Sequence, residues 1–193
     1  MSATPSPRSE VRRLPERASY DRDLIDSILD EALICHVGFV HEEAPVVIPT
    51  IHARVGDTLY LHGSPASRML RAMRSGATIS VNVTLVDGLV VARAAFHNSM
   101  NYRSVVLFGE PRIVDDQGEK VRALEAITEH VLRGRWADSR PMSEKESKAT
   151  LVAAVPIDEA SAKVRTGGPV DDPDDYELPI WAGVIPLRVE SQD

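Results

Sequence analysis

A segment of mostly small residues, LHGSPASR at positions 61–68, carries the side chains best suited to bind an anion. The pattern predicts a strand that leads into a helix, with Ser64 as the N-cap and Pro65 at the first helical position. Free backbone N–H groups at that helix start, the hydroxyls of Ser64 and Ser67, and Arg68 one turn in would suit a phosphate. The segment therefore predicts a phosphate site between a strand and a helix.

A second arginine, Arg103, enters an otherwise apolar strand between Tyr102 and Ser104. Two arginines from separate elements match the fork geometry with which guanidinium groups bind phosphate. In the alternative interpretation, Ser64 only caps a helix, and both arginines are solvated or paired with the abundant acidic residues. Spacing alone favours this alternative, because helices that start with Ser-Pro are common.

Other catalytic chemistry finds little support in the sequence. It contains no GxGxxG, GxxxxGK[ST], GxSxG or HExxH motif, which argues against Rossmann, P-loop, hydrolase and zincin mechanisms. None of the six histidines pairs with a carboxylate at metal-ligand spacing, so no metal site is expected. Cys35 and His36 are neighbours on a predicted strand and point to opposite faces, and His52 and His62 lie on opposite faces of a hairpin. No catalytic side chain is therefore assigned.

The elements that position these residues are mostly strands. Apolar residues fit strands over 33–40, 46–55, 58–62, 77–86, 89–96, 102–114, 151–157, 160–165 and 181–189. Helical spacing predicts helices over 21–32, 66–74 and 119–133. Two-residue turns are expected at Gly56-Asp57 and Asp87-Gly88, and Pro49 indicates a strand edge or a bulge. Six or more antiparallel strands with a few helices predict a mainly β fold, an antiparallel barrel that is closed or partly open.

Length and composition limit the class of protein. With 193 residues, of which 43% are hydrophobic and 26% charged, one globular domain is expected over 19–193. The net charge of −7 disfavours nucleic-acid binding. No apolar run is long enough to cross a membrane, so a cytoplasmic protein is expected. Residues 1–18 carry four arginines and three prolines, which predicts a disordered tail, with an arm for an anionic partner as the alternative.

Four segments between residues 20 and 188 occur in a characteristic order. They are VVIPTIHARVGDTLYLHGSPASRMLRAMRSG, VNVTLVDGLVVARAAFHNSMNYRSVVLFGEPRIV, SAKVRTGGP and WAGVIPL. Together they resemble the pyridoxamine 5′-phosphate oxidase-like family of FMN-binding split barrels. The branch they resemble groups flavin-nucleotide-binding proteins with nitroimidazole-resistance-type reductases. The resemblance implies a six-stranded antiparallel split barrel with peripheral helices, and a homodimer that binds FMN at the subunit interface.

The same resemblance assigns roles to twelve residues. Along the edge of the isoalloxazine ring would lie Ile48, Pro49, Thr50 and Ile51. The ribityl-phosphate end would be held by Ser64, Ser67, Arg68, Tyr102, Arg103 and Ser104. Asn82 is a further candidate, with a solvent-facing strand residue as the alternative. Trp181 resembles an aromatic that closes over the flavin, with a core residue at the barrel mouth as the alternative.

The chain also departs from the pattern of the classical oxidases. Those enzymes end in a basic, histidine-containing segment that holds the substrate's phosphate, whereas this chain ends LRVESQD, so vitamin B6 oxidation is not expected. Other members of the family bind FAD, a deazaflavin or haem. The resemblance thus implies an FMN-dependent oxidoreductase that takes electrons from a nicotinamide donor to a small organic acceptor, such as a quinone or nitro compound. The alternative is a flavin- or haem-binding protein for storage or sensing, without turnover.

Overall fold

The computed structural model describes residues 5–190, and β-strands dominate it. The strands are β1 (Ala18–Ser19), β2 (Ile34–His41), β3 (Ala44–Val55), β4 (Thr58–Gly63), β5 (Ile79–Val91), β6 (Ser99–Gly109), β7 (Arg112–Ile113), β8 (Leu151–Pro156), β9 (Glu159–Arg165) and β10 (Gly183–Pro186). The helices are α1 (Arg22–Glu31), α2 (Arg68–Arg74), α3 (Gln117–Val131) and α4 (Glu144–Ala149). No helix in the described part is long and apolar enough to cross a bilayer.

All the strand pairings are antiparallel, in the order β1-β9-β6-β5-β2-β3-β4-β8-β7, and β10 pairs with β5 beside this path. The sheet is not closed, because β1 and β7 stand at the two ends of the path. The expected class, a mainly β antiparallel split barrel with peripheral helices, is confirmed. The sheet has seven strands of six to thirteen residues, one more than the six expected, and β1, β7 and β10 add two to four residues each.

The sheet has an inner and an outer face, each with its own core. On the inner face, fully buried strand residues such as Cys35, Val83 and Val105 pack with α1 and α2. On the outer face, α3 covers part of β3, β4 and β8 through a smaller cluster that includes Tyr60 and Val152. Because side chains alternate between the faces, residues on one strand divide between these two environments.

The first predicted hairpin is confirmed. Val55 pairs with Thr58, and Gly56 takes a φ of 59°, a left-handed conformation that glycine adopts without strain. Pro49 lies at an edge, as expected, because β2 pairs with all of β3 from Ala44 to Ile51 whereas β4 pairs with β3 only from His52 onward. Proline has no backbone N–H to donate, so it is tolerated where one side of the strand has no neighbour.

The second predicted hairpin is wrong. Asp87 and Gly88 do not form a turn: β5 runs through them, with a shift of register between Val86 and Gly88. Strand β6 pairs with both halves of β5, so the chain reverses only after Val91, through a short 3₁₀ turn at Ala95–His97. The Asp-Gly signal marks an irregularity in a long strand, because pairing along both halves of β5 outweighs the local turn preference.

The start of α2 also differs from the prediction. The helix begins at Arg68, and its N-cap is Ser67, whose Oγ accepts a hydrogen bond from the Leu70 N–H at 3.3 Å. Ser64 is not the cap, since its Oγ accepts from the Ala66 N–H at 3.2 Å within the preceding turn. Arg68 is therefore the first residue of the helix and not one turn inside it.

The described part of the N-terminal tail packs against the sheet. The Arg8 Nε donates to Glu159 of β9 at 3.1 Å, and the Lys163 Nζ donates to the Arg13 carbonyl at 2.7 Å. Ser9 is buried. These long-range contacts have no local sequence signal. Residues 1–4 of the predicted tail lie outside the described residues.

Candidate functional site

Part of the outer face of the sheet is exposed and apolar. We call it the open face and define it by Ile34, His36, Val40, Val47, Pro49 and Val86. Val40 and Val47 are 65% and 64% exposed, and Ile34 is 52% exposed. Direct strand pairing places Pro49, His36 and Asn82 in one row across β3, β2 and β5. An apolar patch of this kind on neighbouring strands commonly marks a ligand or protein interface.

The four predicted ring-edge residues of β3 divide between the two faces. Ile48 packs against the inner core, and Thr50 shares its face. Pro49 and Ile51 lie on the outer face, where Pro49 belongs to the open face and Ile51 contacts the outer core. Beside them, the stretch of β3 that lacks β4 as a neighbour keeps alternate backbone groups free to bind a ligand. Only two of the four side chains can therefore meet a ligand on this face.

The arginines of α2 form a basic surface on an acidic protein. Arg68, Arg71 and Arg74 are exposed and form no ion pair with any other residue in 5–190. The chain as a whole carries −7, so this group is a local exception. Arg68 retains all its donors for an anion, whereas the Ser67 hydroxyl already caps the helix.

Arg103 is held by two carboxylates. Its Nε and Nη2 donate to the two Asp87 oxygens at 3.0 and 2.7 Å, and its Nη2 also donates to Glu31 at 2.7 Å. A further bond joins its Nη1 to Glu31. The hydrogen bonds that Arg103 donates to Glu31 and Asp87 raise the pKa of Arg103, and the guanidinium lowers the pKa of Glu31. For this arginine, the structure corresponds to the alternative of pairing with acids, and two negative neighbours oppose its predicted contact with phosphate.

Three other predicted residues lie on the outer face of β5 and β6. The Ser104 hydroxyl donates to the Lys163 carbonyl at 3.2 Å, and the Asn82 amide donates to the Val105 carbonyl at 3.2 Å. Tyr102 is half-buried and pairs with Val86 of the open face. Asn82 and Ser104 thus have partners within the sheet, while Tyr102 borders the apolar patch.

One chain does not bring all the predicted residues together. Strand β4, which leads to Arg68, is separated from β6 by β3, β2 and β5, roughly 19 Å along the sheet at about 4.8 Å per strand. Trp181 is 62% exposed and precedes β10, which meets β5 at Val91. Val91 lies nine residues beyond Asn82, roughly 30 Å along an extended strand. The structure assembles the row around Pro49 and Asn82, and it leaves α2 and Trp181 at separate margins.

Two histidines of the hairpin formed by β3 and β4 lie in different surroundings. His52 lies on the inner face, fully buried, with its Nε2 2.9 Å from the Leu29 carbonyl and its ring 5.1 Å from that of His130. Burial lowers the pKa of His52. His62 lies on the outer face in register with Val152, and its Nδ1 is buried without a hydrogen bond. The expectation that these two rings face opposite ways is confirmed. The Nδ1 of His52 is also buried without a hydrogen bond, and only the structure shows this for either ring.

A cavity of about 760 Å³ lies beside α3, lined by Thr128, Trp136 and Met142 among others. None of the twelve predicted residues lines it. In the described residues, no group of three or more His, Cys, Asp or Glu side chains is placed to hold a metal ion.

A family profile described as pyridoxamine 5′-phosphate oxidase matches residues 21–164. The chain belongs to the pyridoxamine 5′-phosphate oxidase family. The resemblance read from the sequence is thereby confirmed, and the open antiparallel sheet agrees with it.

Two solved structures of this family are similar to nearly the whole chain. The flavocytochrome Anf3 from Azotobacter vinelandii is 41% identical, with a TM-score of 0.92, over 99% of this chain and 89% of that one. The FAD and haem binding protein from Mycobacterium smegmatis is 38% identical, with a TM-score of 0.87, over 92% of this chain and 87% of that one.

A third structure represents the nitroimidazole-resistance branch. A candidate 5-nitroimidazole antibiotic resistance protein from Bacteroides thetaiotaomicron is 27% identical, with a TM-score of 0.65, over 76% of this chain and 86% of that one. No curated protein sequence matches the chain. The pyridoxamine 5′-phosphate oxidase family thus includes structures similar to this chain over most of its length.

Proposed function

We propose that this protein is a redox protein that binds a flavin and a haem and works as a homodimer. The observation that carries the proposal is the pair of similar structures at 41% and 38% identity, one a flavocytochrome and the other an FAD and haem binding protein. Similarity over 99% and 92% of this chain includes the strands that bear the open face. The sequence resemblance offered haem only as an alternative to a flavin, and these two relatives favour a protein that binds both.

The flavin we propose is FAD, because the relative from M. smegmatis binds FAD. FMN, which the family resemblance implied, is the alternative. Both flavins carry a phosphate next to the ribityl chain, so Arg68 at the start of α2 would serve either of them. The guanidinium of Arg68 is exposed and has no ion pair in the described residues, so it is free to bind the phosphate.

The open face supports the proposal of a dimer. Val40, Val47 and Ile34 expose more than half of their surface on neighbouring strands, and covering them with a second copy would remove apolar area from water. The same packing would exclude water from a flavin ring beside Pro49 and Ile51. Trp181 and Tyr102, which are distant from α2 within one chain, would then reach the cofactor from the partner.

When bound, the flavin supplies two-electron chemistry and the haem supplies one-electron chemistry. The residues of the chain bind the cofactors, orient them and keep water away. We propose a nicotinamide as the electron donor and a small organic molecule, such as a quinone or nitro compound, as an acceptor. A binding protein for storage or sensing is the second candidate, since no acid or base of the chain is assigned a catalytic role.

Cofactor analysis of the purified protein tests the proposal. Acid release followed by chromatography against FAD and FMN standards identifies the flavin, and a pyridine haemochrome assay identifies the haem. Light scattering of the loaded protein should give about 42 kDa, twice the chain mass of 21.2 kDa. A protein that retains neither flavin nor haem after incubation with both would contradict the binding proposal, and a loaded monomer would contradict the dimer.

A further inference from the structure

The six histidines differ in whether the chain gives them a partner. Four have one: His52 and His130 meet backbone carbonyls, and His41 and His97 lie near Glu42 and Asp172. Within residues 5–190, His36 and His62 have neither a hydrogen bond nor an ion pair. These two imidazoles are therefore the ones left available to a ligand.

Burial separates these two rings. His36 is exposed, so water satisfies its nitrogens, and the absence of a protein partner carries no cost. His62 is half-buried, and its Nδ1 is closed to water without any partner, which costs free energy. The Nε2 of His62 is not enclosed in this way. The surroundings thus fix which nitrogen points outward.

The position of His62 in the sheet joins it to the open face. It pairs with Val152 of β8 on one side. On the other side, the preceding residue, Leu61, pairs with His52 of β3. The neighbour of His52 on that strand, Ile51, pairs with the exposed Ile34 of β2. The ring therefore stands at the margin of an apolar surface that spans two further strands.

Access to the ring suits a metal ligand. The five residues after His62 read GSPAS, so no long side chain of this segment covers the approach. His52, in contrast, is fully buried and its Nε2 is already bonded.

We propose that His62 would bind the haem iron through its Nε2, with Ile51 and Ile34 in the apolar surface of the neighbouring strands. The inference rests on the proposed function, since it requires that the protein binds haem. The inference names the residue that binds the iron, which membership of the family does not specify. His36 lies on the open face and has no role at the iron.

The test compares His62→Ala with the matched control His36→Ala, in the full chain reconstituted with haemin. We expect His62→Ala to lose the absorption and electron paramagnetic resonance signature of a histidine-ligated haem, and to bind haemin on the order of 100-fold more weakly. Free imidazole should restore the signature. His36→Ala should match the wild type, and the flavin content of both variants should be unchanged. His62→Met, which keeps the bulk of the side chain, should fold and show the shifted spectrum of a thioether ligand.

The outcomes separate this inference from the proposal beneath it. If the wild type takes up no haemin, the haem part of the proposed function fails and the inference fails with it. If the wild type binds haemin and both His62 variants keep its spectrum, the inference alone is wrong. Loss of the signature in His36→Ala, with His62→Ala unaffected, would move the ligand to the exposed histidine and would also overturn the assignment.

Discussion

The replacement Arg103→Ala should destabilise the protein and leave its affinity for flavin unchanged. The structure places the guanidinium between Asp87, at the irregularity of β5, and Glu31, the last residue of α1. Four hydrogen bonds join it to these two carboxylates. The arginine therefore connects a helix end to the sheet, and both carboxylates lose their partner when it is removed.

The size of the effect follows from exposure. The side chains of Arg103, Asp87 and Glu31 are 27%, 34% and 53% exposed. A solvent-exposed ion pair contributes about 0–1 kcal/mol, and a two-bond pair that is partly shielded lies near the upper end. We therefore expect a loss of about 1–2 kcal/mol in the free energy of unfolding. For a chain of this size, each kcal/mol corresponds to about 2–4 °C in Tm, so the Tm should fall by about 2–8 °C.

Thermal unfolding of the cofactor-free protein, followed by circular dichroism, measures the loss, and flavin titration measures the affinity. Arg68→Ala is the matched control, because Arg68 is an arginine with no ion pair in the described residues, and its removal should leave the Tm of the cofactor-free protein unchanged. The phosphate-binding assignment of Arg103 predicts the opposite pair of results. An unchanged or raised Tm together with weaker flavin binding would refute the ion-pair account.

The same ion pairs predict a pH dependence. The hydrogen bonds from Arg103 lower the pKa of Glu31 below its ordinary value of 4.5. A carboxyl whose pKa is lowered in the folded state stabilises it above the unfolded pKa, and this contribution is lost as the pH falls through the folded pKa. The difference in stability between wild type and Arg103→Ala should thus be full at neutral pH and should shrink below about pH 4.5.

Three further outcomes are expected. Arg68→Ala should weaken flavin binding about tenfold, measured by fluorescence titration, through loss of one charge-assisted contact; equal affinity would remove α2 from the site. Val47→Asp should convert a dimer of about 42 kDa to a 21.2 kDa monomer in light scattering, whereas Val121→Asp, at an exposed valine of α3, should not. Burial raises the pKa of Cys35 to about 12. Iodoacetamide at pH 8 should therefore alkylate Cys35 in the unfolded chain and not in the native one, as measured by mass spectrometry. Rapid labelling of the native protein would contradict the burial of Cys35.

Local turn chemistry gave correct predictions where neighbouring strands agreed with it. At Gly56-Asp57 the glycine conformation, the flanking strands and the pairing of Val55 with Thr58 point to the same hairpin. At Asp87-Gly88 an equally good local signal failed, because β6 pairs with residues on both sides of it. Only the positions of distant strands distinguish these two cases, and a single sequence does not contain them.

The candidate site was predictable in its segments and less so in its contacts. The period of two correctly separates Pro49 and Ile51 from Ile48 and Thr50, once the outer face is known. One of the two partners of Arg103 is Glu31, which is 72 positions away, and no spacing rule connects them. The partnerless Nδ1 of His62 is likewise a property of packing. Interactions between distant elements, and not local patterns, decide which polar groups remain free for a ligand.

An anaerobic titration of the cofactor-loaded protein with reduced nicotinamide, followed by visible absorption, tests the central claim most directly. The account predicts that the preparation shows both the band of an oxidised flavin and the Soret band of a haem, that the flavin band bleaches, and that the Soret band then shifts to that of the ferrous form. A preparation that shows neither band after incubation with flavin and haemin and removal of the excess would contradict the proposal that this chain is a flavin- and haem-binding redox protein.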